Sequence, residues 1–152
     1  MTRNQAIVFV LWADNFDEVA TAVFVTELRK TGLRVKVVGL TPRQLSGIYG
    51  LILVPDLTLD QALAVAEQAI CLVIPHNLQG VWSLDYDPRV KQLFISISAN
   101  QGRFVIGPST PSTANQLLPF AVPNDNIVVY PEGAEIIQFA RRLARLLVEG
   151  QS

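Results

Sequence analysis

The chain of 152 residues has a single cysteine, Cys71, and a single histidine, His76. One cysteine excludes an internal disulfide and suits a reducing cytoplasm, where this reading places the protein. One His and one Cys five residues apart, with no partner cluster, do not form a metal-ligand pattern, and no cofactor is expected. Charge is also scarce. Charged residues make up 16% of the chain, the formal net charge is -1, and no basic cluster exceeds Arg141, Arg142 and Arg145. That trio reads as the solvated face of a helix, so no nucleic-acid surface is expected. No run approaches the roughly 18 apolar residues needed to span a membrane. The start, "MTRNQAIVFVLWADN", faintly imitates a signal peptide, but its apolar run is short and acidic residues follow instead of a cleavage site. It reads as a first buried strand.

What is present is apolar residues, 50% of the chain, arranged in alternating strand and helix patterns. "AIVFVLW" (Ala6 to Trp12) is continuously apolar and β-branched, as a strand covered on both faces requires. "DNFDE" follows, offering Asp14 or Asn15 as a helix cap and Asp17 and Glu18 to the first turn's dipole. Phe16, Val19, Ala20 and Val23 form the apolar stripe of that helix, and Gly32 fits its left-handed end. "LRVKVVG" predicts a strand near a sheet edge. "SGIYGLILVPD" predicts a short hairpin turning at Gly47 and Gly50.

Further on, a helix is expected from near Thr58, a buried strand over Ile70 to Pro75, and a three-turn helix from Pro88 to before Gly102. "RFVI" and "NIVVYP" read as the remaining strands. In the last helix Ile136, Ile137, Ala140, Leu143, Ala144 and Leu147 share one apolar stripe. No repeat, linker or low-complexity segment interrupts residues 1–152, which read as one domain. The order predicts an α/β fold: a single doubly wound, mostly parallel sheet with helices on both faces.

Ligands of such sheets bind outside the carboxyl ends of the strands. "ADNFDE", "PHNLQG" and "GPSTPST" are expected to meet there. Ser109 or Thr110 can be read as a nucleophile with His76 as its base, but no acid is evident to orient the imidazole; helix capping is the ordinary role of such hydroxyls. The same hydroxyls, with free helix amides, can be read as a small-anion site, although the lysine and glycine spacing of a phosphate loop is missing. Cys71, inside "ICLVI", reads as a core residue. Trp82, Tyr86 and Phe94 can be read as an exposed aromatic patch or as sheet packing.

"AIVFVLWADNFDEVATAVFVTELRKTGLRVKVVGL" followed by "GIYGLILVPDLTLDQAL" resembles the opening of the DJ-1/PfpI (ThiJ) superfamily, and "NIVVYPEGAEIIQFARRLARLLVEG" resembles its close. The resemblance spans nearly the whole chain and is most specific in the first 65 and last 25 residues. It implies a flavodoxin-like sandwich and a homodimer. It also implies a site: a cysteine nucleophile on a strand-to-helix elbow, a glutamate from the first helix, sometimes a histidine from a later loop, and amides of a Pro-Gly-Gly loop as an oxyanion hole.

Carried over by position, the elbow falls on Gly107, followed by Pro108. The glutamate falls on Ala20, with Glu18 among the acidic residues just before it, and the glycine pair becomes His76 and Asn77. The loop "TPSTANQLLPFAVPND" holds no histidine. Glycine has no nucleophilic atom and alanine cannot carry a proton. The resemblance therefore implies a vestigial pocket around Glu18, Ala20, His76, Asn77, Gly107 and Pro108, and a degenerate protein acting through a protein partner or as a structural or regulatory subunit. The competing expectation is a hydrolase or aldehyde-processing enzyme with relocated residues.

Overall fold

The computed structural model describes residues 6–42, 44–75, 87–107 and 122–150. Six strands form one sheet in the order β3-β2-β1-β4-β5-β6, and each neighbouring pair is parallel. They are β1 (Ile7–Trp12), β2 (Arg34–Gly39), β3 (Leu57–Thr58), β4 (Ala69–Ile74), β5 (Arg103–Ile106) and β6 (Ile127–Val129). The helices are α1 (Glu18–Arg29), α2 (Leu59–Ala64), α3 (Pro88–Ala99) and α4 (Glu135–Glu149).

The continuous apolar run of β1 is explained by its place at the centre. Ile7, Phe9 and Leu11 join one buried cluster with Leu59, Ala62, Leu93 and Phe94 of α2 and α3. Val8 and Val10 join a second, with Phe24 and Leu28 of α1 and Ala140 and Leu143 of α4. Side chains alternate across a strand, so a strand covered on both faces must be apolar at every position. The sheet is doubly wound, as expected. Its order reverses at β1, which places the crevice between the carboxyl ends of β1 and β4.

Several local expectations are corrected. The cap of α1 is Asp17, whose Oδ1 accepts from the Ala20 N–H at 3.0 Å, and not Asp14 or Asn15. Asn15 has a left-handed φ of 67°, and Asp14 turns to accept from the Ser46 N–H at 3.0 Å. Starting the helix at Glu18 rotates its buried stripe onto Ala20, Thr21, Phe24, Glu27 and Leu28. Val19 is left 65% exposed, and Val23 is only partly covered. Phe16 is buried but precedes the helix, so it does not share the helical phase.

The hairpin reduces to one antiparallel bridge, Ser46 to Ile52, with Gly50 at φ 93°. The chain then adds the two-residue β3 to the sheet edge instead of a hairpin strand. In α4, Ile137 lies off the buried stripe and is 40% exposed. Phe94 is fully buried against Phe104, with ring centroids 5.4 Å apart, so it packs the sheet; Trp82 and Tyr86 lie outside the described residues.

α2 begins as read. Thr58 and Gln61 form a reciprocal capping box, and Asp60 stands in the first turn. α3 starts at Pro88 behind the capping Asp87, where a missing N–H leaves no bond unmade. Arg89 binds both Asp87 and Asp60, tying the start of α3 to α2. That guanidinium holds the Asp87 carboxyl below its usual range.

Candidate functional site

Three carboxylates follow β1, and each is engaged by backbone amides. Asp14 holds Ser46 and Asp17 holds Ala20. Glu18, the first helical residue, accepts from the Tyr49 N–H and from the Leu51 N–H, the latter at 2.6 Å. Trp12 Nε1 donates to the Leu45 carbonyl at 3.2 Å, and the Ile48 N–H donates to the Phe16 carbonyl at 3.0 Å. The 45–52 loop is thereby clamped onto the turn after β1. A Cβ at Gly47 would lie 2.2 Å from Glu18 Cγ and 2.9 Å from the Trp12 ring, so only glycine lets the loop approach this closely. Loop clamping by Glu18 escaped the sequence reading. The available signal was an acidic turn followed by a glycine-rich segment with amides to satisfy.

The turn is also fixed to the next strand, since the Asp17 N–H donates to the Pro75 carbonyl at 2.7 Å. β5 ends at Ile106, and buried Gly107 follows it. The Ile106 carbonyl accepts from the Tyr130 N–H at 3.0 Å, which seats Tyr130 beside the end of β5. The Tyr130 ring packs edge-on against Phe24 at 5.2 Å. Its hydroxyl pKa is raised by burial, with the Asp17 and Glu132 carboxylates adding to the effect.

A groove of about 570 Å³ opens at this end of the molecule. Asn15, Asp17, Ala20, Val23, Tyr130 and Glu132 line it, together with Val19, Ile48, Tyr49 and Ile137. Of the expected pocket residues, Ala20 therefore lines the groove, with Tyr130 joining it to the end of β5 and Gly107. Glu18 is directed to the loop instead. His76, Asn77, Pro108, Ser109 and Thr110 lie outside the described residues.

Cys71 is fully buried in β4, and burial pushes its thiol pKa up to about 12 against the opposing charge of Arg103. A thiol so held stays protonated and unreactive at neutral pH. Among the described residues, no three His, Cys, Asp or Glu side chains are grouped to hold a metal ion. No described helix is long and apolar enough to cross a membrane.

No protein-family model and no curated protein matches the chain. Solved structures do. The fold is similar to that of Drosophila melanogaster DJ-1beta at 20% identity and TM-score 0.75, covering 97% of this chain and 91% of that one. A DJ-1 superfamily protein from Salmonella typhimurium aligns at 19% identity and TM-score 0.74, over 97% and 92% of the two chains. A ThiJ/PfpI domain protein from Brachyspira murdochii aligns at 16% identity and TM-score 0.71, over 97% and 98%. The fold is that of the DJ-1/ThiJ/PfpI superfamily, as the sequence resemblance implied.

Proposed function

We propose that this chain is a divergent, catalytically degenerate DJ-1/PfpI-like domain that acts through protein–protein contact, as a structural or regulatory subunit, in the cytoplasm. The observation that carries this reading is the residue at the end of β5. Where the sequence resemblance puts the nucleophile, the chain has buried Gly107, which offers neither thiol nor hydroxyl. Ala20, onto which the resemblance carries the glutamate, lines the groove. The neighbouring carboxylates hold backbone amides, and the only thiol is sealed in the sheet. Large exposed apolar side chains lie beside the same groove, including Tyr49 at 88% exposure. Large apolar side chains exposed together are a feature of interaction surfaces.

The test compares the natural protein with His76→Ala, Ser109→Ala and Thr110→Ala variants on ester, peptide and aldehyde substrates. The expected result is no turnover above buffer for any of them and unchanged cellular function of folded variants. Turnover by the natural protein that disappears with His76 or Ser109 would establish relocated catalysis and end this reading.

A further inference from the structure

The groove of about 570 Å³ has a sign as well as a shape. Its charged lining residues, Asp17 and Glu132, are both carboxylates, and no Lys or Arg lines it. Neither carboxylate is in an ion pair among the described residues. Asp17 accepts the Ala20 N–H on Oδ1, and among the described residues nothing binds its Oδ2.

Tyr130 lines the same groove and is only 3% exposed. No hydrogen bond to its hydroxyl is made among the described residues, yet none of their fully enclosed side-chain oxygens lacks a partner. The hydroxyl therefore reaches the groove and is not sealed in the core. After burial, the Asp17 and Glu132 charges are what raise its pKa, so the three groups share one electrostatic neighbourhood. Two helix ends oppose the carboxylates, because α1 and α4 both begin at the groove. Each amino terminus is worth about half a positive charge. Two full negative charges outweigh them.

We infer that the groove binds a primary ammonium group carried on an apolar chain. An ammonium has three donors and no acceptor, and Asp17, Glu132 and Tyr130 Oη offer it three acceptors. Val19, Val23, Ile48 and Ile137 give the attached chain an apolar wall to cover. The volume lies within the roughly 300–1,000 Å³ usual for small-ligand pockets. A divalent cation is poorly served, since it needs about six oxygen ligands and most of this lining is apolar. Binding of an amine requires no nucleophile, so it goes beyond the proposed function without depending on it.

The experiment titrates the full chain with hexylamine at low salt, followed by amide chemical shifts in NMR. 1-Hexanol, hexanoate and hexyltrimethylammonium present the same chain on other head groups. Hexylamine should saturate with a dissociation constant of about 1 mM or tighter, shift the Val19, Tyr49 and Gly133 amides, and weaken as salt is raised. Hexanol should bind at least about tenfold more weakly, and hexanoate not measurably. Hexyltrimethylammonium keeps the charge but has no N–H, and should bind at least about threefold more weakly.

Asp17→Asn still caps α1, and Tyr130→Phe keeps its ring on Phe24, so each removes chemistry while keeping shape. Asp17→Asn and Glu132→Gln should each weaken hexylamine roughly fivefold, and Tyr130→Phe about threefold. Circular dichroism checks the fold of each variant, and the head-group series on the natural chain needs no variant. Absence of a saturable shift with hexylamine would overturn the inference. So would equal or tighter binding of any other head group, displacement by an equal concentration of magnesium ions, or folded carboxylate variants that bind as well as the natural chain. None of these outcomes restores a nucleophile at Gly107, so the reading of lost catalysis is judged separately, by the turnover assay.

Discussion

The two faces of the sheet are finished differently. On the α2–α3 face, Trp12, Phe16, Phe94 and Phe104 are fully buried, and neither helix contributes a large exposed apolar side chain among the described residues. On the other side, Val19 of α1, Ile137 and Leu146 of α4, and Ile48 and Tyr49 of the adjoining loop all reach solvent. The helices of both faces bury a stripe against the same strands, so the sheet does not set the difference. It arises because α1 and α4 are apolar beyond the arc that the sheet can cover. One face completes a core, and the other completes a core while leaving apolar side chains in solvent.

The contrast can be broken first on the sealed side. Trp12→Ala removes a fully buried indole and its bond to Leu45, and should cost about 3–5 kcal/mol in urea unfolding. Gly47→Ala attacks the clamp between the sealed core and the open loop. Its methyl must displace Glu18 or Trp12, for a loss of about 1–3 kcal/mol, with faster hydrogen exchange at the Tyr49 and Leu51 amides.

The brace on the open face should be sensitive to acid. The Glu27 carboxyl is held below its ordinary value of 4.5 by hydrogen bonds from Arg141 first and Lys30 second, against a desolvation cost. A carboxyl whose folded pKa is depressed stabilises the fold fully above the unfolded value. That contribution fades as pH falls below 4.5 and through the depressed folded value. Melting temperature should therefore drop in that window, and Arg141→Ala should flatten the dependence. The smallest effect is expected at Val19→Ser, which should change monomer stability by no more than about 0.5 kcal/mol, because the side chain already faces water. A large loss there would mean that the open face is part of the folding core after all.

Much of this was legible in one dimension. A two-sided strand must be apolar throughout, so "AIVFVLW" announced the sheet's centre. The capping chemistry of Thr58 and Gln61, the proline opening α3 and the stripe of α4 each act over one turn of chain. For the same reason, the glycine at position 107 is visible by position alone, and no arrangement in space gives it a nucleophilic atom. Less legible were contacts between segments some thirty residues apart. Asp14, Asp17 and Glu18 are three acids in one short turn, and composition cannot say which caps the helix and which reaches a distant loop.

The sequence by itself determined the alternation of strands and helices and the two-sided apolar centre of the sheet, because those depend on local periodicity and residue chemistry. Only the tertiary structure decided that Glu18 clamps the 45–52 loop and that Val19 and Ile137 face water. Those facts depend on the rotation of each helix about its axis, which is fixed by packing against neighbours remote in the chain.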